Sequence, residues 1–301
     1  MTDPQIAIIT PSYRRDLERC RLTVESVNRF LPASMTHYLV IDRRDLSLFR
    51  PLAGPRTKIV TAEDLLPWWI VRLPKVNKVW MSFRTLPVRS WIVQQLMKLS
   101  VASRIDAEVY CFVDSDVAFI RPMGPTSLVD DGRVRLFRRP GHADQPSHHR
   151  WHRSAAALLG LEPRDYFGAD YIGNMITWRR DNLLALHEHI ERTTGKHWLR
   201  AVASQLHLSE YILYGLFVEH VLGIDTAGHD AQSHDLCHCS WDYRIEGPDD
   251  IDRFFDAELA PEIKAVLIQS NLKLPMDAYA DRVRQLQARV NPPAEGVPAH
   301  A

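Results

Sequence analysis

The sequence predicts a single α/β domain with a mostly parallel central sheet flanked by helices, and three observations carry that prediction. Apolar runs recur without alternation, as in strands covered on both faces. Helical periodicity fills the intervals between the runs, and polar residues close most of them.

Ile6-Ala7-Ile8-Ile9-Thr10 is the first run and stops at Pro11. From Asp16 the pattern changes. Leu17, Cys20, Val24, Val27 and Leu31 follow at near-helical spacing with charges between them, and Pro32 closes the segment. Tyr38-Leu39-Val40-Ile41 is the second strand, with Asp42 at its end, and Lys58-Ile59-Val60 the third. Leu65–Pro87, rich in Trp, Pro and Lys, holds no sustained period and is expected to be an ordered surface loop. Ser90–Ile105 reads as a helix with Ile92, Leu96 and Leu99 on one face and Gln94, Gln95 and Lys98 on another. The apolar strand Val109–Val113 follows, completing the order β-α-β-β-α-β.

The second half is more mixed: a short strand Arg133–Phe137, a His-rich loop Gly141–Arg153, a strand Ile172–Trp178, a helix from Asp181, a helix from Ser209 to near Gly223, a strand Ala265–Gln269 and a helix Asp277–Val290. The domain is expected over residues 1–290. From Asn291 onward three prolines and no apolar period predict a disordered tail, 291–301.

Composition narrows the function classes. Of 301 residues 46% are hydrophobic and 25% charged, enough for a core in a water-soluble domain. Lys plus Arg equals Asp plus Glu at 37 each, so there is no overall attraction for nucleic acid or an anionic membrane, and any anion site must be local. The first strand begins within a few residues of Met1 and no apolar run approaches the roughly 20 residues of a membrane span, so a cytoplasmic location is expected. Cys20, Cys111, Cys237 and Cys239 are too few for a disulfide framework, and Cys237-His238-Cys239 lacks the second Cys pair of a zinc knuckle. His142, His148, His149 and His152 have no carboxylate in register, so no metal is assigned there.

Asp114-Ser115-Asp116, directly after Tyr110-Cys111-Phe112-Val113, is the most informative motif. Alternate residues of extended chain share a face, so the two carboxylates can share one ion. A hard divalent cation that bridges a diphosphate needs only one or two protein carboxylates beside phosphate and water. Ligands of wound α/β sheets collect beyond the strand carboxyl ends, where this pair stands.

Taken in order, Ile8-Ile9-Thr10-Pro11-Ser12-Tyr13, Gln94-Gln95 with Lys98-Leu99, Phe112-Val113-Asp114-Ser115-Asp116 and Ser209-Glu210-Tyr211 before Leu213-Tyr214-Gly215 resemble a group of bacterial GT-A-fold sugar transferases. The resemblance runs from about Ile6 to Asn271. It implies a GT-A-like, Rossmann-like fold with a nucleotide-sugar half (1–130) and an acceptor half (131–290). It also implies Mn²⁺ or Mg²⁺ as cofactor and transfer of a hexose-type unit from a nucleoside diphosphate sugar, UDP favoured, to a hydroxyl of a saccharide, lipid-linked glycan or small molecule. Under it Thr10, Pro11, Tyr13, Arg14 and Asp42 would hold base and ribose, and Gln95 and Lys98 the diphosphate or donor sugar. Asp114 and Ser115 would meet the donor, and Asp114, Asp116 and a late histidine, His238 with His229 and His234 as rivals, would hold the metal.

Glu210, preceded by the N-cap candidate Ser209, and Asp170, before Gly173, are the candidate general bases, Glu210 implying inversion. A sugar-phosphate nucleotidyltransferase is the second reading, but the residues after the first strand are not the Gly-rich basic loop it would need. A non-catalytic carbohydrate-binding protein is the third, on Trp68, Trp69, Trp80 and Trp91.

Overall fold

A computed structural model of the chain describes residues 4–73, 79–141, 146–269, 272 and 274–292. Its main sheet has five strands in the spatial order Ile176–Arg179, Val109–Phe112, Ile6–Ser12, Thr36–Ile41 and Thr57–Thr61. The last four are parallel, and Ile176–Arg179 is an antiparallel edge strand on Val109–Phe112. The unalternating runs are explained by burial on both faces. Ile6 and Ile8 join one core with Val27 and Phe30 of the helix Leu17–Phe30, while Ala7 and Ile9 join another with Leu96 and Leu99 of the helix Ser90–Leu99.

Beyond Asp116 the chain enters a second, three-stranded sheet, in which Val117–Phe119 runs antiparallel to Ala265–Leu267 and the latter parallel to Cys237–Cys239. The carboxylate motif is therefore the corner between two sheets. A third sheet pairs Arg133–Phe137 with His229–Gln232 and Val129–Asp130. The helix Met276–Val290 covers the second sheet through Tyr279, Val283 and Leu286.

Four expectations are corrected. The stretch 65–87 is not wholly loop: Ile70–Val71 pairs with Val79–Ser82, which pairs in turn with Val88–Arg89. Such short pairings are below the reach of period counting. The expected His-rich loop is the helix Pro146–Leu159, in which His152, Ala155, Ala156, Leu158 and Leu159 are buried; His142 lies outside the described residues. The shared polar face of Gln94, Gln95 and Lys98 is divided, with Gln94 exposed and Gln95 and Lys98 buried. Asn291, expected in the tail, donates from Nδ2 to Ile120 O at 2.7 Å, and residues 293–301 lie outside the described residues.

The helix Glu210–Leu216 is packed so closely on the loop before the edge strand that a Cβ at Gly215 would lie 2.1 Å from the Tyr171 ring. Glycine at that position sets the distance between the helix and the segment carrying Asp170.

Candidate active site at the corner of two sheets

Sheet pairing persists to the edge of the motif: the Val113 amide donates to Ile9 O at 2.9 Å, and Asp114-Ser115-Asp116 then forms the turn into Val117–Phe119. Asn174 grips Asp114. The Asp114 amide donates to Asn174 Oδ1 at 3.2 Å, and Asn174 Nδ2 donates to Asp114 Oδ2 at 3.3 Å. Asn174 is buried and precedes Met175, whose φ of 55° is uncommon for a non-glycine residue. The turn is also fixed from the far side, since Thr23 Oγ1 donates to Ser115 O at 3.0 Å and Tyr279 O–H to Asp116 O at 3.1 Å. Both aspartates are half-buried, on a turn whose backbone is held by three separate elements.

Tyr13, exposed after the first strand, has its phenol pKa pushed up by partial burial and by nearby carboxylates, first Asp16 and also Asp116. Tyr13 follows the strand Ile6–Ser12, which pairs in parallel with Val109–Phe112, the strand that leads into the motif.

Behind the motif lies a buried charged pair. Lys98 Nζ is 2.8 Å from Glu210 Oε1 and donates to Tyr211 Oη at 2.8 Å. Burial opposes the Lys98 charge, but Glu210, Tyr211 and Asp114 outweigh it and hold the ammonium pKa above its ordinary value. Gln95 completes the cluster: its Oε1 accepts the Glu210 amide at 3.1 Å, while its Nε2 donates to Trp91 O at 3.1 Å. Ser209 is the expected N-cap, its Oγ accepting the Ile212 amide at 3.4 Å.

At the ends of the first three strands, Arg14 holds Asp45 through Nη2 at 2.7 Å and Nε at 2.8 Å. Asp42 faces Arg72 Nη1 at 2.9 Å and Arg44 Nε at 3.4 Å, yet burial raises its carboxyl pKa. Thr10 is fully buried and its hydroxyl is 2.9 Å from His37 Nε2. Its side chain is part of the core, so only its backbone can serve a ligand. Pro11 stands in register with Val40 inside the sheet.

Asp170 is hydrogen-bonded to Nδ1 of His148 and accepts the Tyr171 amide on Oδ1 at 2.8 Å. His148 lies against Trp151 with ring centroids 4.8 Å apart, and Trp151 stacks on Trp91 at 6.1 Å. From Asp170 to Asn174 the chain advances four residues, a reach of at most about 14 Å, so the His148–Asp170 pair and the aspartate turn share one neighbourhood.

The family model of DUF6492, a family of unknown function, matches residues 3–290. The chain belongs to this family. Among curated proteins none matches it. The match covers the residues of the sheets described above and of the candidate site.

Several histidine expectations are redirected. His238 is not brought to Asp116. In the strand Cys237–Cys239 alternate side chains point oppositely, and the two cysteines are buried while His238 turns to the other face. There it stacks on Phe254 at 4.3 Å, and its Nε2 donates to Phe254 O at 3.1 Å. His229 is a core residue bonded to Val134 O and the Tyr214 hydroxyl, and His234 is exposed. Among the described residues no group of three or more His, Cys, Asp or Glu is gathered for a metal. An ion here would rest on Asp114, Asp116, phosphate and water, a donor set that suits Mg²⁺ or Mn²⁺.

Sequence reasoning missed Asn174, Asp45, Tyr211, Tyr279 and the role of His148. Tyr211 alone carried a local signal, adjacent to Glu210 in the first turn of a capped helix.

Proposed function

We propose that the protein is a metal-dependent glycosyltransferase that moves a sugar from a nucleoside diphosphate donor, UDP favoured, to a hydroxyl acceptor. The observation that carries this reading is the Asp114-Ser115-Asp116 turn at the carboxyl end of a central parallel strand, gripped by Asn174. The parallel strand order with one antiparallel edge agrees with a GT-A-like architecture. Asp114 and Asp116 would hold a divalent ion, which would supply positive charge to a departing diphosphate.

In this reading Tyr13 covers the base, and Asp42, with Arg72, meets the ribose. Lys98, fixed between Glu210, Tyr211 and Asp114, adds positive potential behind the carboxylates. Glu210 is paired with Lys98 at 2.8 Å, so its role in this reading is to hold Lys98. Acceptor activation falls to His148, held by the buried Asp170, beside the Trp91–Trp151 stack. The acceptor oxygen bonds to the anomeric carbon as the bond to the diphosphate oxygen breaks, and the hydroxyl proton passes to the His148–Asp170 pair, with inversion.

Thermal unfolding in the presence of UDP and Mn²⁺ tests the donor half of this reading. A ligand at about 100 times its dissociation constant stabilises the folded state by about 2.7 kcal/mol, a clear rise in midpoint. The rise is expected with both present and should vanish in Asp116→Ala, whose fold is retained because Asp116 is half-buried and its carbonyl still accepts Tyr279. Equal stabilisation of parent and variant, or none by UDP, GDP, dTDP and ADP with the metal, defeats the proposal.

A further inference from the structure

Three stretches of the chain carry no aspartate or glutamate: Leu65–Ile105, Pro146–Leu161 and Arg192–Ser209, in a sequence holding 37 acidic residues. The fold brings all three together. Trp91 stacks on Trp151, its Nε1 donates to Leu208 O at 2.8 Å, and Arg89 donates to Leu206 O at 3.2 Å. Trp68, Arg84, Lys196 and Arg200 line one cavity of about 410 Å³.

This face is also where large apolar side chains stand in water. Leu86 is 80% exposed, Trp68 73%, Phe83 67%, Leu206 63% and Trp91 47%. Phe83 is tied to the Trp68 segment by its amide, which donates to Trp69 O at 3.0 Å, and the Arg84 guanidinium sits 5.4 Å above the Trp68 ring. Scattered exposed apolar residues need no explanation, but a group of this size ringed by one sign of charge marks an interaction surface. The charge is basic. Arg84, Arg89, Lys196, Arg200 and Arg150 are all exposed, and Glu191 stands at the rim, its Oε1 3.7 Å from His197 Nδ1 and accepting the Trp198 amide at 3.2 Å. His207, set between Arg150 and Arg89, has its pKa lowered by partial burial and then by those two cations.

Neutral overall, the chain concentrates cations and aromatic residues here, the pairing that suits a boundary between anionic headgroups and hydrocarbon. We propose that this face docks the protein on an anionic membrane surface, with Trp68, Phe83 and Leu86 entering the headgroup layer and Arg84, Arg89, Lys196 and Arg200 meeting lipid phosphates. No helix of the described residues is long and apolar enough to cross a membrane. Trp91 belongs both to this face and to the stack beside Asp170, which places the open side of the candidate site at the membrane. The docking itself depends on neither nucleotide, metal nor turnover, so it stands or falls apart from the transferase reading.

The test is co-sedimentation of the full chain with vesicles of equal parts phosphatidylglycerol and phosphatidylcholine, beside vesicles of phosphatidylcholine alone. The protein is expected to pellet with the anionic vesicles and to be released by high salt. Binding should fall by about tenfold or more in Arg84→Glu/Arg89→Glu and in Trp68→Ser/Phe83→Ser/Leu86→Ser. Both variants alter exposed side chains, and a thermal midpoint unchanged from the parent confirms that they fold. Protein left in the supernatant, equal binding to both vesicle types, or variants that pellet like the parent overturn the proposal. So does a dimer in sedimentation equilibrium that the triple variant dissociates, since the face would then be an interface between copies of this chain.

Discussion

Glu210→Gln is expected to destabilise the protein by about 3–5 kcal/mol, the cost of removing one partner from a buried ion pair. The amide keeps the shape of the side chain but not the charge that faces Lys98 Nζ at 2.8 Å. Lys98 is itself buried, and what remains near it is the neutral Tyr211 hydroxyl and the more distant Asp114 carboxylate. Urea unfolding reads the effect as a lower midpoint with an unchanged slope. Lys98→Met with Glu210→Gln should recover most of the loss, because a thioether of similar length needs no counter-charge. A single variant within about 1 kcal/mol of the parent would show that water or Asp114 already satisfies Lys98. The chemical consequence is specific. In Glu210→Gln the ammonium is drawn toward Asp114, competing with the proposed metal, so lost turnover in that variant is no evidence for Glu210 as a base.

The reason this pair was not legible from sequence is separation along the chain. Lys98 and Glu210 lie on different helices, and helical spacing placed Lys98 on a polar face without showing that the helix Glu210–Leu216 covers it. Asn174 and Asp114 are sixty residues apart and meet only because the antiparallel edge strand lies on Val109–Phe112. What could be read locally was read well. Strands buried on both faces declare themselves as unbroken apolar runs, and the carboxylates were placed at a strand end because Val113 is followed at once by Asp114. The helix Pro146–Leu159 was missed because Gly141 and the clustered histidines resemble a loop, although Pro146 is a good first residue and His152, Ala155, Ala156 and Leu159 keep helical spacing. His238 failed for a simpler reason. One residue of strand parity decides which sheet face a side chain joins, and nothing local to Cys237-His238-Cys239 sets that parity.

Acid should unfold the protein steeply, and four buried histidines supply much of the slope. Burial lowers the pKa of His37 from 6.5 to about 3, and those of His152, His187 and His229 from 6.5 to about 4. Burial is the largest cause in each case, reinforced at His37 by Arg56 and opposed at His152 by Asp170. Among the described residues neither ring nitrogen of His152 has a hydrogen-bond partner, and His37 lacks one on Nδ1. These rings are neutral in the folded state. The unfolded chain takes up their protons near pH 6.5, before the folded protein can, so stability is full above that value. It falls as pH drops toward 4, and the loss levels off only below the folded-state pKa values. Each ring contributes about 1.4 kcal/mol per pH unit in that window, so the four together reach about 5.5 kcal/mol per unit, comparable to the whole stability of a typical domain. Urea midpoints measured between about pH 7 and pH 5 should therefore collapse, with an uptake of about four protons on unfolding from these rings. His152→Phe supplies the control. Its ring sits among Tyr166 and Phe167 at 5.2 and 5.9 Å, where an apolar ring fits. The variant should hold its stability about one proton less steeply, while its neutral-pH midpoint changes little. A pH profile that stays flat from 7 to 5, or one that His152→Phe leaves unaltered, would show that these rings are already protonated or solvated in the folded protein.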